Sequence, residues 1–351
     1  MSTTGNFMKF DKQPRILFFL LGPESKASSR VRGFWVAKAL REKGVKCDII
    51  YGESRSSYLS CLLKLIRIDI LIIQKRYSKW DYYLVKVANS IGKKTIFDID
   101  DAYSKSKNEN TLNNFIRIIE NVSAVTVGSQ NLKKFVEKYR RNSILLPTSI
   151  KLDNYAIEST QSNKDYVCLG WIGNGAHYHQ DLIKILKKPF IKIASQYKIR
   201  FKLVGACKQK ELYDAFNNIN GLNVTFIDEI DWSDPLSVRK EILDFDIGLY
   251  PVINNDFNLS KCGFKALEYM ALGIPVVTSP IGANEYIIST GVDGYHASGD
   301  EEWIDVLGKL IEEKGLRHSL GMAGRKKVET EYSIDRYAEK LKKISLRLIE
   351  K

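Results

Sequence analysis

Apolar, β-branched runs alternate with segments of helical period along nearly the whole chain, and the alternation pauses once before restarting. Such a chain can bury both kinds of face only as parallel sheets with crossover helices packed on them. In the first half the strand-like runs fall near 15–21 (RILFFLL), 46–51 (KCDIIY), 69–74 (DILIIQ), 94–98 (KTIFD), 123–128 (SAVTVG) and 143–147 (SILLP). Helices lie between them, for example over 30–43 and 129–139. The stretch TSIKLDNYAIESTQSNKD (148–165) has no clear period and reads as a linker. Strands resume near 166–172, 200–205, 223–228, 246–250 and 275–278, and helices dominate after residue 299, ending in 333–350.

The expected architecture is two doubly wound, Rossmann-like α/β domains facing each other across a cleft, with C-terminal helices. Its divisions are a disordered tail over 1–13, a first domain over 14–150, a linker over 151–165 and a second domain over 166–331. A last helix over 332–351 could pack back on the first domain. A length of 351 residues, 44% hydrophobic and 27% charged, supplies material for two such cores. The apolar run ILFFLL near the start is too short for a secretory signal and far too short to span a bilayer. Five cysteines (Cys47, Cys61, Cys168, Cys207 and Cys262) are scattered without metal or redox spacing, as expected of reduced thiols in a cytoplasmic protein.

The net charge of +13 is carried almost entirely by one half. Residues 1–150 hold 27 Lys and Arg against 13 Asp and Glu, whereas the remainder holds 27 against 28. That asymmetry suggests an anionic partner for the first half: a membrane surface, a phosphorylated lipid or nucleic acid. Solvated surface lysines would give the same count.

In open α/β sheets ligands bind at the carboxyl ends of the strands, so the loops there decide function. The loop GPESKASSRVRG (22–33) follows the first strand and opens a helix. Ser28 or Ser29 could cap that helix, and Arg30 and Arg32 would add positive charge to an anion site. The loop lacks the GxGxxG spacing, and no acidic residue follows where a dinucleotide ribose would need one, which disfavours NAD. Its counterpart in the second half is GNGAHYHQD (173–181). There Gly173 and Gly175, flanking Asn174, could let backbone N–H groups approach a phosphate. His177 and His179 show no third ligand nearby, so phosphate contact or simple loop polarity fits better than a metal.

FDIDDAY (97–103) ends a strand with Asp98, Asp100 and Asp101, and the period of two puts the first two on one face. They could hold a divalent cation, cap a helix, bind sugar hydroxyls or pair with arginines, and the non-metal roles are favoured. Finally, Glu268 lies early in the helix that follows VINNDFNLSKCG (252–263), beside Lys261 and Lys265. A carboxylate accepts hydrogen bonds from vicinal hydroxyls such as a ribose offers, and the lysines can meet phosphates. A surface pair between Lys265 and Glu268 would account for the same residues at little energetic gain.

Over GFKALEYMALGIPVVTSPIGANEYIISTGVDGYHA (263–297) the chain resembles retaining nucleotide-sugar glycosyltransferases of the GT-B fold, specifically glycosyltransferase family 4. The likeness extends to FKLVG (201–205), DIGLYP (246–251) and VTVGSQNLKKFV (125–136). By that resemblance Glu268 matches the second glutamate of the family's Glu-x7-Glu motif, which contacts ribose, and Glu285 falls in the same donor-site stretch. Ser260 stands at the first glutamate's position and Trp171 where an arginine is usual. Lys261 and Lys265 are the candidates to supply the missing charge.

The resemblance implies sugar transfer from a nucleotide diphosphate sugar to an acceptor hydroxyl, with retention and without cofactor or essential metal. The second domain would bind donor, through Gly173, Asn174, Gly175, His177, Lys261, Lys265, Glu268 and Glu285. The first would bind a saccharide or lipid-linked acceptor, with Ser28, Ser29, Arg30, Arg32, Asp98, Asp100 and Asp101 as its candidates. The expected setting is the cytoplasm, on the inner face of the cell membrane where anionic lipid is at hand, in cell-envelope polysaccharide or glycolipid synthesis. No nucleic acid partner is expected. Two rivals stay open: a sugar-nucleotide epimerase or hydrolase on the same fold, and a basic binding module whose transferase site has decayed.

Overall fold

A computed structural model describes residues 13–100, 109–157 and 164–350. Two six-stranded sheets form, each parallel throughout. Across the first sheet the strands run Lys46–Tyr51, Arg15–Leu20, Ile70–Gln74, Lys94–Ile99, Ala124–Val127 and Ile144–Leu145. Across the second they run Tyr295–His296, Val276–Thr278, Ile247–Tyr250, Val167–Ile172, Ile199–Val204 and Asn223–Ile227. The register places Phe18 opposite both Ile49 and Ile72, so one apolar row crosses three strands. Every strand expected from the sequence is present within a residue or two. The two-residue strand Tyr295–His296 was not anticipated, being too short to show a period.

Helices cover both faces of the first sheet, which explains why its strands read as continuous apolar runs rather than as alternating ones. One face packs against helix Trp35–Glu42 and the last helix, Ile334–Ile349. The other packs against helices Arg55–Leu65, Lys79–Ser90, Glu109–Asn121 and Gln130–Val136. Local signals fix several helix starts: Ser78 and Asp81 form a reciprocal capping box, and Asp234 caps the helix begun by Pro235. The expected helix over 30–43 starts earlier, at Ala27, and contains a π-turn over Arg30–Phe34. Gly33 lies on that turn against strand Arg15–Leu20, where a Cβ would come within 2.4 Å of Leu20 Cδ1.

The last helix follows the second domain in sequence but completes the core of the first: Ile334, Tyr337, Ala338 and Leu341 are buried against Ile16 and Phe18. Its surface is tied there by Lys342 Nζ donating to the Lys43 carbonyl at 3.0 Å and by the Lys43–Asp335 ion pair at 3.2 Å. The outgoing and returning chain segments meet where Ile150 N donates to Tyr332 O (2.8 Å) and Ile334 N to Ile150 O (2.9 Å). The cleft between the sheets is bridged by Asn131 Nδ2 donating to Leu259 O (3.0 Å), Arg30 Nη2 to Trp232 O (2.9 Å) and Cys262 Sγ to Asp100 O. The tail over residues 1–12, part of the expected linker (158–163) and Asp101 lie outside the described residues.

Candidate active site

In the first-domain loop the two serines and one of the two arginines expected at an anion site are engaged elsewhere. Ser28 and Ser29 lie inside the helix rather than at its cap, because the helix begins at Ala27 after Lys26. The buried Ser29 hydroxyl accepts from Gly22 N at 3.1 Å, which fixes the turn leaving the strand. Arg32 is fully buried and grips Asp98 with two parallel bonds, Nε to Oδ2 at 2.9 Å and Nη2 to Oδ1 at 2.5 Å. Its Nη1 donates to Leu146 O at 2.8 Å, while Asp98 also accepts from Thr126 Oγ1 (2.6 Å) and Tyr337 Oη (3.3 Å). Burial alone would lower the Arg32 pKa; Asp98 outweighs it and raises the value. A guanidinium and a carboxylate so fully satisfied by each other and by the core join the strands to the returning helix and have little left to offer a ligand.

Asp100 shares that face but sits nearer the surface, 3.6 Å from Lys75 Nζ. Lys75 leaves strand Ile70–Gln74 with φ +53°, an uncommon backbone conformation for a lysine. It lines a cavity of about 360 Å³ at the carboxyl ends of the strands, together with Arg76, Ser78, Lys79, Asn110 and Thr111. No residue singled out from the sequence lines this cavity. The signal was the basic stretch QKRYSK (74–79), which leaves a strand's carboxyl end as the two loops singled out above do.

Arg30 behaves differently from Arg32. Its guanidinium crosses the cleft to the Trp232 carbonyl, its buried Nε has no hydrogen-bond partner among the described residues, and its charge opposes the burial that raises the pKa of both Glu268 and Tyr155. A first-domain cation therefore faces the second-domain site.

In that second domain, helix Phe264–Ala271 starts at Gly263, whose φ of +68° and contact with Ile287 admit no side chain without strain. The helix carries Lys265 to the loop at 173–175 and Glu268 to Tyr155. Lys265 packs so closely on Gly173 that a Cβ there would lie 2.4 Å from Lys265 Cε. Its ammonium rests over the rings of Tyr178 (4.1 Å), Tyr250 (5.0 Å) and Trp171 (5.8 Å), while Lys261 Nζ lies 4.0 Å over Phe257. Burial, and then the charge of Lys261, lowers the Lys265 pKa to about 8. Glu268 is 8% exposed and accepts from Tyr155 Oη at 2.7 Å. Burial raises its pKa to about 7, against the Tyr155 hydrogen bond and the charges of Lys265 and Arg30, which pull it down.

The loop glycines serve a purpose other than the one expected. Gly173 N donates to Val204 O at 3.0 Å and Gly175 N to Gly205 O at 2.7 Å, so neither N–H is available to a phosphate. A Cβ on Gly175 would meet the carbonyls of Gly205 and Ala206 at 2.7 Å, and close backbone packing accounts for the residue. Asn174 stands at the cap of helix Gly175–Ala194, where the first-turn N–H of Ala176 lacks an intrahelical acceptor by position. His177 and His179 lie in that helix, not on a loop; His177 is exposed and His179 Nδ1 meets the Ala176 carbonyl. Among the described residues no three His, Cys, Asp or Glu side chains are grouped as a metal site. Glu285 is exposed on the short helix Asn284–Ile287, where its charge acts on His296. Ser260, at the first glutamate's position, turns its hydroxyl back to Phe257 O at 2.6 Å.

The structure thus brings together Glu268, Lys265, Lys261 and, from across the cleft, Arg30, while Asn174 follows the Gly173 on which Lys265 packs. Tyr155, Tyr178 and Tyr250 were not singled out from the sequence as parts of the site, and Trp171 was noted only as standing where an arginine is usual. An arrangement of this kind sets a carboxylate and several cations near one another, groups suited to hydroxyls and to an anion.

Residues 167–313 match the family model of glycosyl transferases group 1. This stretch contains every second-domain residue just described. A capsular polysaccharide biosynthesis glycosyltransferase of Staphylococcus aureus, CapM, is 25% identical over 195 residues, which is 52% of this chain and 47% of CapM. The match thus spans about half the length of that curated relative. Among solved structures, a glycosyltransferase from Rickettsia africae superposes with a TM-score of 0.75 over 97% of this chain and 99% of its own, at 14% identity. Anabaena HepE in complex with UDP and glucose superposes at 0.71 over 95% of this chain and 99% of its own, at 12% identity. Two parallel Rossmann-like sheets arranged as in these glycosyltransferases are the GT-B fold.

Proposed function

We propose that the protein transfers a sugar from a nucleoside diphosphate sugar to the hydroxyl of a saccharide or lipid-linked acceptor, with retention, in cell-envelope polysaccharide or glycolipid synthesis. The observation that carries this reading is the packing of Lys265 between Gly173 and the aromatic rings, on the helix that holds Glu268. Glu268 takes the ribose hydroxyls. Lys261, Lys265 and Arg30 take the diphosphate, replacing the basic residues that the resembled family carries elsewhere. In the transfer, the anomeric carbon–oxygen bond breaks with its electron pair going to the diphosphate. The acceptor oxygen bonds to the same face of the sugar and gives its proton to the departing phosphate oxygen. Fixed cations in surroundings of low dielectric stabilise the developing charge without reorganising during the reaction.

Asp100 and the cavity beside Lys75 face the acceptor. With Asp98 committed to Arg32 and Asp100 beside Lys75, both in the domain opposite Glu268, the reading is metal-independent. CapM, by name a capsular polysaccharide enzyme, and HepE, solved with UDP and glucose, lend support to this choice of donor and pathway class.

The test is thermal stabilisation by UDP, GDP, ADP and TDP and their sugars, followed by turnover with and without acceptor. A ligand at 100 times its dissociation constant stabilises by about 2.7 kcal/mol. Stabilisation by none of them, with no sugar released, overturns the proposal; turnover without an acceptor favours the epimerase or hydrolase instead.

A further inference from the structure

Two neighbouring helices on one face of the first sheet are apolar on the side that should be polar. Helix Arg55–Leu65 buries Cys61 and Leu65 inward, as its place requires. Its outward side carries Leu59, Leu62 and Leu63, and Ile66 continues the row, with exposures of 59% at Leu59, 66% at Leu63 and 71% at Ile66. The spacing i, i+3, i+4, i+7 makes these one stripe. Helix Lys79–Ser90 does the same: Leu84, Val85 and Ala88 face inward, while Trp80, Tyr83 and Val87 face out, followed by Ile91. Tyr58 Oη joins the two helices, lying 3.0 Å from Ser78 Oγ and donating to Asp81 at 2.9 Å. Scattered exposed hydrophobics are ordinary; two adjoining stripes, one beginning with a Trp and a Tyr, are not.

The charge around the stripes names the partner. Residues 55–67 and 79–94 contain seven Lys or Arg and one acidic residue, Asp81, which is buried against Arg76 at 2.9 Å. Lys64 also pairs with the exposed Asp48 at 2.7 Å. An outward surface with leucines, a Trp and a Tyr beside basic side chains matches a bilayer whose headgroups are anionic: apolar groups enter the boundary and the cations meet phosphates. A second copy fits less well, because a two-fold contact would press the same basic rim against itself. No helix among the described residues is long and apolar enough to cross a membrane.

We infer that this face, made by helices Arg55–Leu65 and Lys79–Ser90, docks the protein on an anionic lipid surface. The stripe begins beside the first-domain cavity, since Lys79 lines the cavity and Trp80 starts the stripe. A chain docked this way holds that cavity at the membrane boundary. The inference stands on surface chemistry and does not depend on the transferase reading.

The experiment is flotation of the full chain with phosphatidylcholine vesicles, with and without phosphatidylglycerol. The chain is expected to float with the phosphatidylglycerol vesicles, with a blue shift in tryptophan emission that Trp80→Phe removes. The double variant Leu63→Glu/Ile66→Glu, changed at outward positions, is expected to keep its circular dichroism and melting curve and to partition about tenfold more weakly or less. Trp80→Ala on the other helix is a second, independent variant and should also weaken partitioning. Failure of the unaltered chain to float, equal partition into both vesicle types, or flotation of the double variant like the unaltered chain each overturns the inference. So does a dimer, seen by light scattering, that the double variant splits in the absence of any vesicle binding.

Discussion

Tyr155 donates its hydroxyl to Glu268 Oε1 at 2.7 Å, tying the segment that leaves the first domain to the helix expected to hold the nucleotide. Both groups are buried, so the bond is made in a low dielectric. Burial raises Glu268 to about 7 and lowers Lys265 to about 8, leaving a narrow range in which one is carboxylate and the other ammonium. For stability the sign is that of a raised acid. The contribution is complete below the unfolded value near 4.5 and is lost as pH rises through about 7.

Nucleoside diphosphate affinity should therefore rise as pH passes about 7 and fall as it passes about 8. Tyr155→Phe removes a hydrogen bond to the charged carboxylate and should move the acid limb upward by about one unit. Glu268→Gln should abolish that limb and weaken binding by about tenfold or more. Calorimetry across pH measures all three. An acid limb that stays in place in both variants assigns it to some other group.

Lys261→Ala and Arg30→Ala should each weaken nucleoside diphosphate binding by about tenfold while leaving the bare nucleoside nearly unchanged, because each removes a charge aimed at phosphate and not at base or ribose. Parallel titrations with UDP and uridine, or the corresponding pair for the true base, make the comparison. Equal losses for both ligands would place that residue away from the phosphates.

Arg32→Met or Asp98→Asn should act on stability. Each leaves a buried charge without its partner, at a cost of about 3–5 kcal/mol. The double variant Arg32→Met/Asp98→Leu should recover part of that loss, since neither charge is then stranded. Urea unfolding gives the stabilities. Nucleotide affinity of whatever remains folded should be unaltered, and unchanged stability with lost affinity would restore these two residues to a binding site.

Turnover should survive excess EDTA, and Asp100→Asn should raise the acceptor KM with little change in kcat. Asp100 sits beside Lys75, itself part of the first-domain cavity's lining, in the domain opposite Glu268. Activity abolished by EDTA and restored only by Mn²⁺ or Mg²⁺ would reverse the assignment of the two domains.

The sheets were legible in the sequence because buried parallel strands are continuous apolar runs, and runs such as ILIIQ and RILFFL leave no other reading. The oddity of Glu268 was legible, since a charge beside Leu267, Met270 and Ala271 is anomalous on a buried helix. Its partner was not: Tyr155 lies 113 positions away, beyond any periodicity. The Arg32–Asp98 pair spans 66 positions for the same reason, so two residues assigned to ligand were found bound to each other. Gly173 and Gly175 misled in another way. A glycine needed for close backbone packing and one needed for phosphate look identical in sequence, and only the hydrogen bonds to Val204 and Gly205 distinguish them.

The return of helix Ile334–Ile349 to the first sheet means that the folding units are not the two halves of the gene. A fragment ending near residue 150 would lack Tyr337 and Leu341 and present an open apolar wall, so it should aggregate unless the helix is added back as a peptide. The same return makes the junction a double one. With Ile150 bonded to both Tyr332 and Ile334, two chain segments cross side by side and act like the two knuckles of a door hinge. A bend along that line leaves both backbone bonds in place, whereas a twist across it would break them. Under the proposed function, movement of the second domain against the first is expected to follow that one axis, with Arg30 returning toward Glu268 on closure.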